Sequence, residues 1–145
     1  MEDKRVLFLC TGNTARSQMA EAFLRKYAGE HFEAYSAGLK PGVIHPYTEH
    51  VMREIGIDLS GQHSKSVREF LGKMSFAYLI TVCAEAEANC PTTFPGSSNR
   101  LFWAFNNPAA VEGSEEEKLL KFREVRDQIE KRIRLWLEEE GFSKK

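Results

Sequence analysis

Short apolar runs alternate with amphipathic stretches along this chain, and the alternation sets its expected fold. Val6-Leu-Phe-Leu9 is continuously apolar, the pattern of a strand buried on both faces. Turn formers follow at once in Cys10-Thr-Gly-Asn-Thr-Ala-Arg-Ser17, and then Met19, Phe23, Leu24 and Tyr27 recur at helical spacing. Residues 32–36 read as a second strand, ended by Ala37-Gly38. Pro46 suits the first turn of a helix that Val51, Met52 and Ile55 continue as far as Gly56. Val67, Phe70, Leu71 and Met74 predict another helix after Ser64 or Ser66. Tyr78-Leu-Ile-Thr-Val82 is a further continuous β-run that ends on Cys83, and residues 84–89 are helix formers stopped by Pro91. Residues 95–99 form a turn-rich loop before an aromatic strand over 101–105. The last stretch, 115–139, is a long amphipathic helix with Phe122, Val125, Ile129, Ile133, Trp136 and Leu137 on its inner side.

Strands alternating with helices predict one α/β domain over residues 1–145, built on a parallel sheet. No repeat, low-complexity tract or interdomain linker interrupts it. Ligands of such sheets bind beyond the carboxyl ends of the strands. Cys10, Cys83 and the loop after Phe105 all fall at those ends, although they are distant in sequence.

Composition narrows the function. With 42% hydrophobic and 28% charged residues the chain is an ordinary globular protein, and its 145 residues suffice for a core without staples. The net charge of −1, with both signs interspersed, signals no nucleic-acid or membrane partner. No apolar run is long enough to span a bilayer. Met-Glu-Asp-Lys-Arg leads straight into the first strand without a signal-peptide pattern, so the expected location is the cytoplasm. Three cysteines, an odd number, fit a secreted disulfide framework poorly. Cys83 and Cys90 lack the tight knuckle spacing of a zinc site, and His31, His45, His50 and His63 show no paired ligand spacing.

The loop from Cys10 to Ser17 carries the candidate chemistry. A turn between a buried strand and a helix aims backbone N–H groups at one point, beside the positive end of the helix dipole. Thr11, Gly12, Asn13, Thr14 and Ala15 would line such an oxyanion nest, and Gly12 and Asn13 tolerate the positive φ that curls it. Arg16 adds a planar fork of donors matched to phosphate or arsenate. Cys10 sits where these partial charges converge, so its thiolate is expected to be favoured and its pKa lowered, with Ser17 donating a further hydrogen bond to the sulfur. A nucleotide-binding P-loop is excluded, because no Gly-Lys-Ser/Thr is present.

The stretch from Val6 to Glu21 resembles the start of the low-molecular-weight protein tyrosine phosphatase superfamily, and more closely its thioredoxin-coupled arsenate reductase branch. The resemblance continues in Tyr35-Ser-Ala-Gly38, Ile57-Asp-Leu-Ser60, Thr81-Val-Cys83, Asn89-Cys-Pro91, Trp103-Ala-Phe-Asn-Asn-Pro-Ala109 and Phe122-Arg-Glu-Val-Arg-Asp127. It implies a four-stranded parallel sheet in the order 2-1-3-4 with helices on both faces. It also implies that Cys10 attacks an oxyanion and that Cys83 and Cys90 carry a disulfide relay, with thioredoxin as the external dithiol. Gln18 matches the reductases, where phosphatases have proline, and Ala109-Ala110 lacks the tyrosine that phosphatases carry.

The chain departs from the family in three places. Asn107 stands where the family has the aspartate that acts as general acid, and an amide gives up no proton at neutral pH; Glu112 is the one candidate for a substitute acid in the same loop. Asn13, Glu21 and Ser36 match a potassium site of some reductases, but Lys65 replaces its acidic member. A lysine ammonium in place of the ion predicts that no metal is required. Ala15 replaces a second loop cysteine. Three functions remain open: an arsenate reductase, a phosphatase for phosphotyrosine or small aryl phosphates, and a non-catalytic oxyanion-binding protein. The expected ligands are arsenate, phosphate or sulfate, and the expected state is a monomer.

Overall fold

The first strand, β1 (Lys4–Cys10), lies in the middle of the sheet, and Val6, Leu7, Phe8 and Leu9 are all fully buried. Residues that alternate faces yet never meet water need cover on both sides, as the unbroken apolar run requires. The computed structural model describes residues 4–70, 73–84 and 97–142. Within them β1 is followed by α1 (Arg16–Ala28), β2 (Phe32–Gly38), α2 (Pro46–Arg53), β3 (Phe76–Thr81), β4 (Ser97–Phe102) and α3 (Glu115–Glu139). The sheet order is β2-β1-β3-β4 with every pairing parallel, as the resemblance implied. Among the described residues, no helix is long and apolar enough to cross a membrane.

Tertiary pairing overrides local pattern at two elements. The helix predicted after Ser64 or Ser66 is only a 3₁₀ turn, Val67–Glu69, capped by Ser66, and Leu71 and Gly72 lie outside the described residues. Val67 and Phe70 stand three apart, a spacing that one 3₁₀ turn satisfies as well as an α-helix does. Phe70 packs edge-on against Tyr35 and Phe76. The last strand begins at Ser97 rather than Leu101, because Phe76 and Tyr78 pair with Ser97 and Asn99. Strand propensity in these polar residues is weak, and the neighbouring strand decides. The predicted helix over 84–89 falls outside the described residues from 85 onward.

Helices α1 and α3 pack together, and Trp136 of α3 meets Phe32, Tyr78 and Trp103 from the sheet side. The start of α3 is set by a capping box: Ser114 Oγ accepts from Glu117 N, and Glu117 Oε1 accepts from Ser114 N. Helix α2 is pinned to α3 through its C-cap residue, Glu54. The Glu54 carboxylate accepts from Arg123 Nε and Nη2 and from Arg126 Nη1, at 2.7–3.1 Å. Those guanidinium bonds, Arg123 foremost, hold the Glu54 pKa down to about 2 against an ordinary 4.5.

A depressed carboxylate stabilises the fold above its unfolded pKa and loses that contribution as pH falls through the folded value. Glu54→Gln should therefore lower Tm at neutral pH by about 2–4 °C, the shift that about 1 kcal/mol produces in a domain near this size. It should also shrink the loss of Tm between about pH 4.5 and pH 2. Parallel Tm-against-pH curves for parent and variant would show that the cluster adds nothing.

Candidate active site

The loop between β1 and α1 is shaped by where its carbonyls go. Cys10 O accepts from Leu39 N, Thr11 O from Lys40 N at 2.8 Å, and Gly12 O from Gly42 N and Ser64 Oγ. Asn13 O accepts from Gln18 Nε2, Thr14 O from His45 N and Thr48 Oγ1, and Ala15 O from Met19 N. Each carbonyl from Cys10 to Ala15 is thus taken by a donor outside the ring of the loop. Holding the carbonyls outward turns the N–H groups inward, which is how a backbone nest for an anion is made. The next helix adds to it: α1 has no side-chain N-cap and no acidic residue in its first turn, leaving its N-terminal amides and positive dipole end to a ligand.

Of the two residues expected to curl the loop, Asn13 does so, with φ at 53°. Its buried amide fixes that conformation. Nδ2 donates to Ser17 Oγ at 2.8 Å, while Oδ1 accepts from Gln18 Nε2 and Lys65 N. Ser17 Oγ thus serves as an acceptor, and it makes no hydrogen bond to Cys10 Sγ. Gly38 is required by close approach, since a Cβ there would lie 2.8 Å from Thr11 O.

Cys10 and Cys83 meet at the floor of the loop. Both are buried, and Cys10 Sγ donates to Cys83 Sγ at 3.5 Å. Thr11 Oγ1 is also 3.5 Å from Cys83 Sγ. This contact corrects the expected acidity of Cys10. The Cys10 pKa is raised above the ordinary thiol value, first because the thiol donates to Cys83 and then because it is buried. Arg16 and the Thr11 amide pull it down but do not prevail. The loop favours a thiolate, as its composition implies, while Cys83 holds the proton on Cys10. Cys83→Ala should therefore lower the Cys10 pKa. Alkylation of Cys10 at neutral pH should quicken by about tenfold, the effect of one pKa unit. An unchanged pH profile of alkylation would show that Cys83 does not hold that proton.

Arg16 reaches across to the loop after β4, where its Nη1 donates to Phe105 O at 3.1 Å. Two residues on, Asn107 is exposed and begins a 3₁₀ turn, Pro108–Ala110. Its Oδ1 accepts from Ala109 N at 3.1 Å, so the oxygen of the amide caps the turn. Glu112 is exposed in the same loop. Cys90 lies outside the described residues.

Asn13, Glu21, Ser36 and Lys65 do come together. Glu21 Oε1 accepts from Ser36 Oγ and Oε2 from Arg25 Nη2, both at 2.5 Å, and Lys65 Nζ is 3.9 Å from Oε1. Lys65 also donates through Nζ to His63 O at 2.8 Å. Burial lowers the Lys65 pKa, and Glu21 opposes that. Gln18 ties this cluster to the loop, since its Nε2 also donates to His63 O.

Several supports escape sequence reasoning: Thr48, Ser64, Gln62 (whose Nε2 donates to Gln18 Oε1) and the Phe105 carbonyl. They act on main-chain atoms or through long-range contacts, and no motif announces them.

Residues 5–144 match the low molecular weight phosphotyrosine protein phosphatase family. The chain belongs to that family. Within it, the arsenate reductase of Halalkalibacterium halodurans is 44% identical over 139 residues, covering 95% of this chain and 98% of that protein. A solved arsenate reductase in its phosphate binding state superposes with a TM-score of 0.74 at 29% identity, over 94% of this chain and 98% of the other. A thioredoxin-dependent arsenate reductase of Corynebacterium glutamicum gives a TM-score of 0.68 at 27% identity, over 96% of this chain and 62% of that one.

Proposed function

We propose that the chain reduces arsenate to arsenite, with Cys10 as the nucleophile and Cys83 and Cys90 as the carriers of the oxidising equivalents. The observation that carries this reading is the contact of Cys10 with Cys83. Phosphoryl transfer needs only the nucleophile thiol, whereas a disulfide relay requires a second one in reach, and Cys83 Sγ lies 3.5 Å from Cys10 Sγ.

Arsenate enters the nest of residues 11–15, with Arg16 as its bidentate clamp. Cys10 Sγ, after losing its proton, attacks arsenic, and an arsenate oxygen leaves as water to give a thiol–arsenate adduct. Cys83 thiolate then attacks Cys10 Sγ. The S–As electron pair goes to arsenic, which leaves as arsenite reduced by two electrons, and a Cys10–Cys83 disulfide remains. Cys90 thiolate attacks Cys83 Sγ and Cys10 departs as thiolate. An external dithiol reduces the Cys83–Cys90 disulfide. Thioredoxin is the proposed reductant, and the thioredoxin-dependent relative supports that choice. A disulfide needs Cα atoms about 4.4–6.8 Å apart, so the last transfer requires Cys83 and Cys90 to come within that distance.

The residues that match a potassium site do not fit the ion. Both Glu21 oxygens already accept from Ser36 and Arg25, and the Lys65 ammonium lies beside them. Lys65 supports a reaction that needs no metal. Phosphatase action on aryl phosphates is the second reading, favoured by the family and opposed by Asn107, whose Oδ1 is spent on a cap.

The test is arsenite release from arsenate with thioredoxin, thioredoxin reductase and NADPH in potassium-free buffer, beside hydrolysis of an aryl phosphate. Sustained arsenite release is expected. Ester hydrolysis without arsenite would transfer the assignment to the phosphatase reading.

A further inference from the structure

Two main-chain hydrogen bonds and one from a side chain run in line from the nucleophile strand to the oxyanion clamp. Val82 N donates to Leu9 O at 2.9 Å, Phe105 N donates to Val82 O at 3.3 Å, and Phe105 O accepts from Arg16 Nη1 at 3.1 Å. The middle acceptor, Val82 O, belongs to the peptide unit that joins Val82 to Cys83. The last acceptor, Phe105 O, belongs to the next peptide unit after the Phe105 N–H. One residue thus links the backbone at Cys83 to the guanidinium that must grip the oxyanion. A neighbouring rung, Trp103 N to Thr81 O at 2.8 Å, holds the strand before it.

We propose that the Phe105 main chain is a positioning group that couples the grip of Arg16 to the place of Cys83. The inference rests on the relay proposed above. While Cys83 lies against Cys10, the Val82–Cys83 peptide accepts from Phe105 N–H, the 105–106 peptide is held still, and its carbonyl orients Arg16. One edge of the guanidinium is thereby fixed to the protein, and the remaining donors are set for a tetrahedral anion. When Cys83 turns away to join Cys90, the Val82–Cys83 peptide turns with it. The Phe105 rung then breaks and Arg16 loses its fixed acceptor. A clamp that must be ordered on binding grips less tightly than one already ordered. The oxidised chain therefore sheds its oxyanion, and by linkage a bound oxyanion favours Cys83 beside Cys10. The direction suits the chemistry, since binding promotes the arrangement for reaction and the disulfide transfer clears the site.

The experiment uses the full chain carrying Cys10→Ser, so that oxidation can join only Cys83 to Cys90, with mass mapping to verify the bond. Inorganic phosphate is the calorimetric probe. Phosphate should bind the Cys83–Cys90 disulfide form about tenfold more weakly than the reduced form, the scale expected for one unfixed long side chain. Adding Phe105→Pro removes the N–H and keeps a carbonyl, so both forms should bind weakly and the difference should collapse. Phe105→Ala, which keeps both main-chain groups, should retain the difference. Equal phosphate affinity in the two forms of the Phe105 chain overturns the coupling, whether or not the proline variant folds. A full difference retained in a folded Phe105→Pro chain overturns the route through this residue. If oxidation forms no Cys83–Cys90 bond, the relay fails and the coupling falls with it. Weaker phosphate binding by reduced Phe105→Pro than by reduced Phe105→Ala, at equal Tm, then still identifies Phe105 as the support of Arg16.

Discussion

Cys83→Ser is expected to stop arsenite release with thioredoxin as sole reductant while phosphate still binds the loop. Cys83 Sγ lies 3.5 Å from Cys10 Sγ, close enough to become the attacking atom with little movement. A serine hydroxyl at that place stays protonated and does not displace arsenite from sulfur. Cys10 should still form its arsenate adduct, which then reverts by hydrolysis without electron transfer. Removing one member of a set that acts as a unit costs nearly as much as removing all of it, so the loss should reach at least about a thousandfold. In the companion variant Cys90→Ser, one round of arsenite release should leave a Cys10–Cys83 disulfide, seen by mass mapping of peptides. Multiple turnover by either variant would remove the relay. The position of the two buried thiols argues against that outcome, because no other described cysteine can accept from Cys10.

The separation of what was and was not legible in the sequence follows the range of each interaction. The run Val6-Leu-Phe-Leu9 announced a central strand because burial on both faces leaves no polar alternative. Cys10 and Cys83 could be placed together because they lie at and just past the ends of parallel strands, and the carboxyl ends of such strands share one side of the sheet. By contrast, the Val67, Phe70 and Met74 spacing could not separate a helix from one 3₁₀ turn, since both bring residues three apart to one side. Ser97 to Arg100 carry no strand signal of their own and are chosen by β3. The acidity of Cys10 was misjudged for a related reason. The nest, Arg16 and the helix end are all local in sequence and all favour the thiolate. The burial and the acceptor that outweigh them come from the packed fold and from a residue 73 positions away. The support of Arg16 by Phe105 O was invisible, because any residue at 105 would supply the same carbonyl.

Asn107→Asp should give the chain an activity that it otherwise nearly lacks, the hydrolysis of aryl phosphates with poor leaving groups. General acid catalysis contributes about 10²–10⁴-fold where the leaving group needs a proton. The amide at 107 has none to give, and its Oδ1 is already engaged with Ala109 N. An aspartate can keep that cap with one oxygen and turn the other toward the nest, so the exchange should leave the turn Pro108–Ala110 and the fold intact. The same cap limits the gain. A backbone N–H donated to a carboxylate favours its charged form, whereas catalysis needs the acid. An oxyanion bound in the nest works in the opposite direction and raises the carboxyl pKa. Between these effects the rise in kcat/KM should be at least about tenfold, below the full range for an ideally placed acid. Arsenate reduction should hardly change, because arsenate takes its proton from solvent before attack. The decisive measurement is kcat/KM across aryl phosphates of graded leaving-group pKa. The Asn107 chain should fall steeply as leaving groups worsen, and the aspartate variant should fall little. If both chains show the same dependence, the proton comes from elsewhere in the 106–113 loop. Glu112, the exposed carboxylate there, is then the group whose change to glutamine should abolish ester hydrolysis.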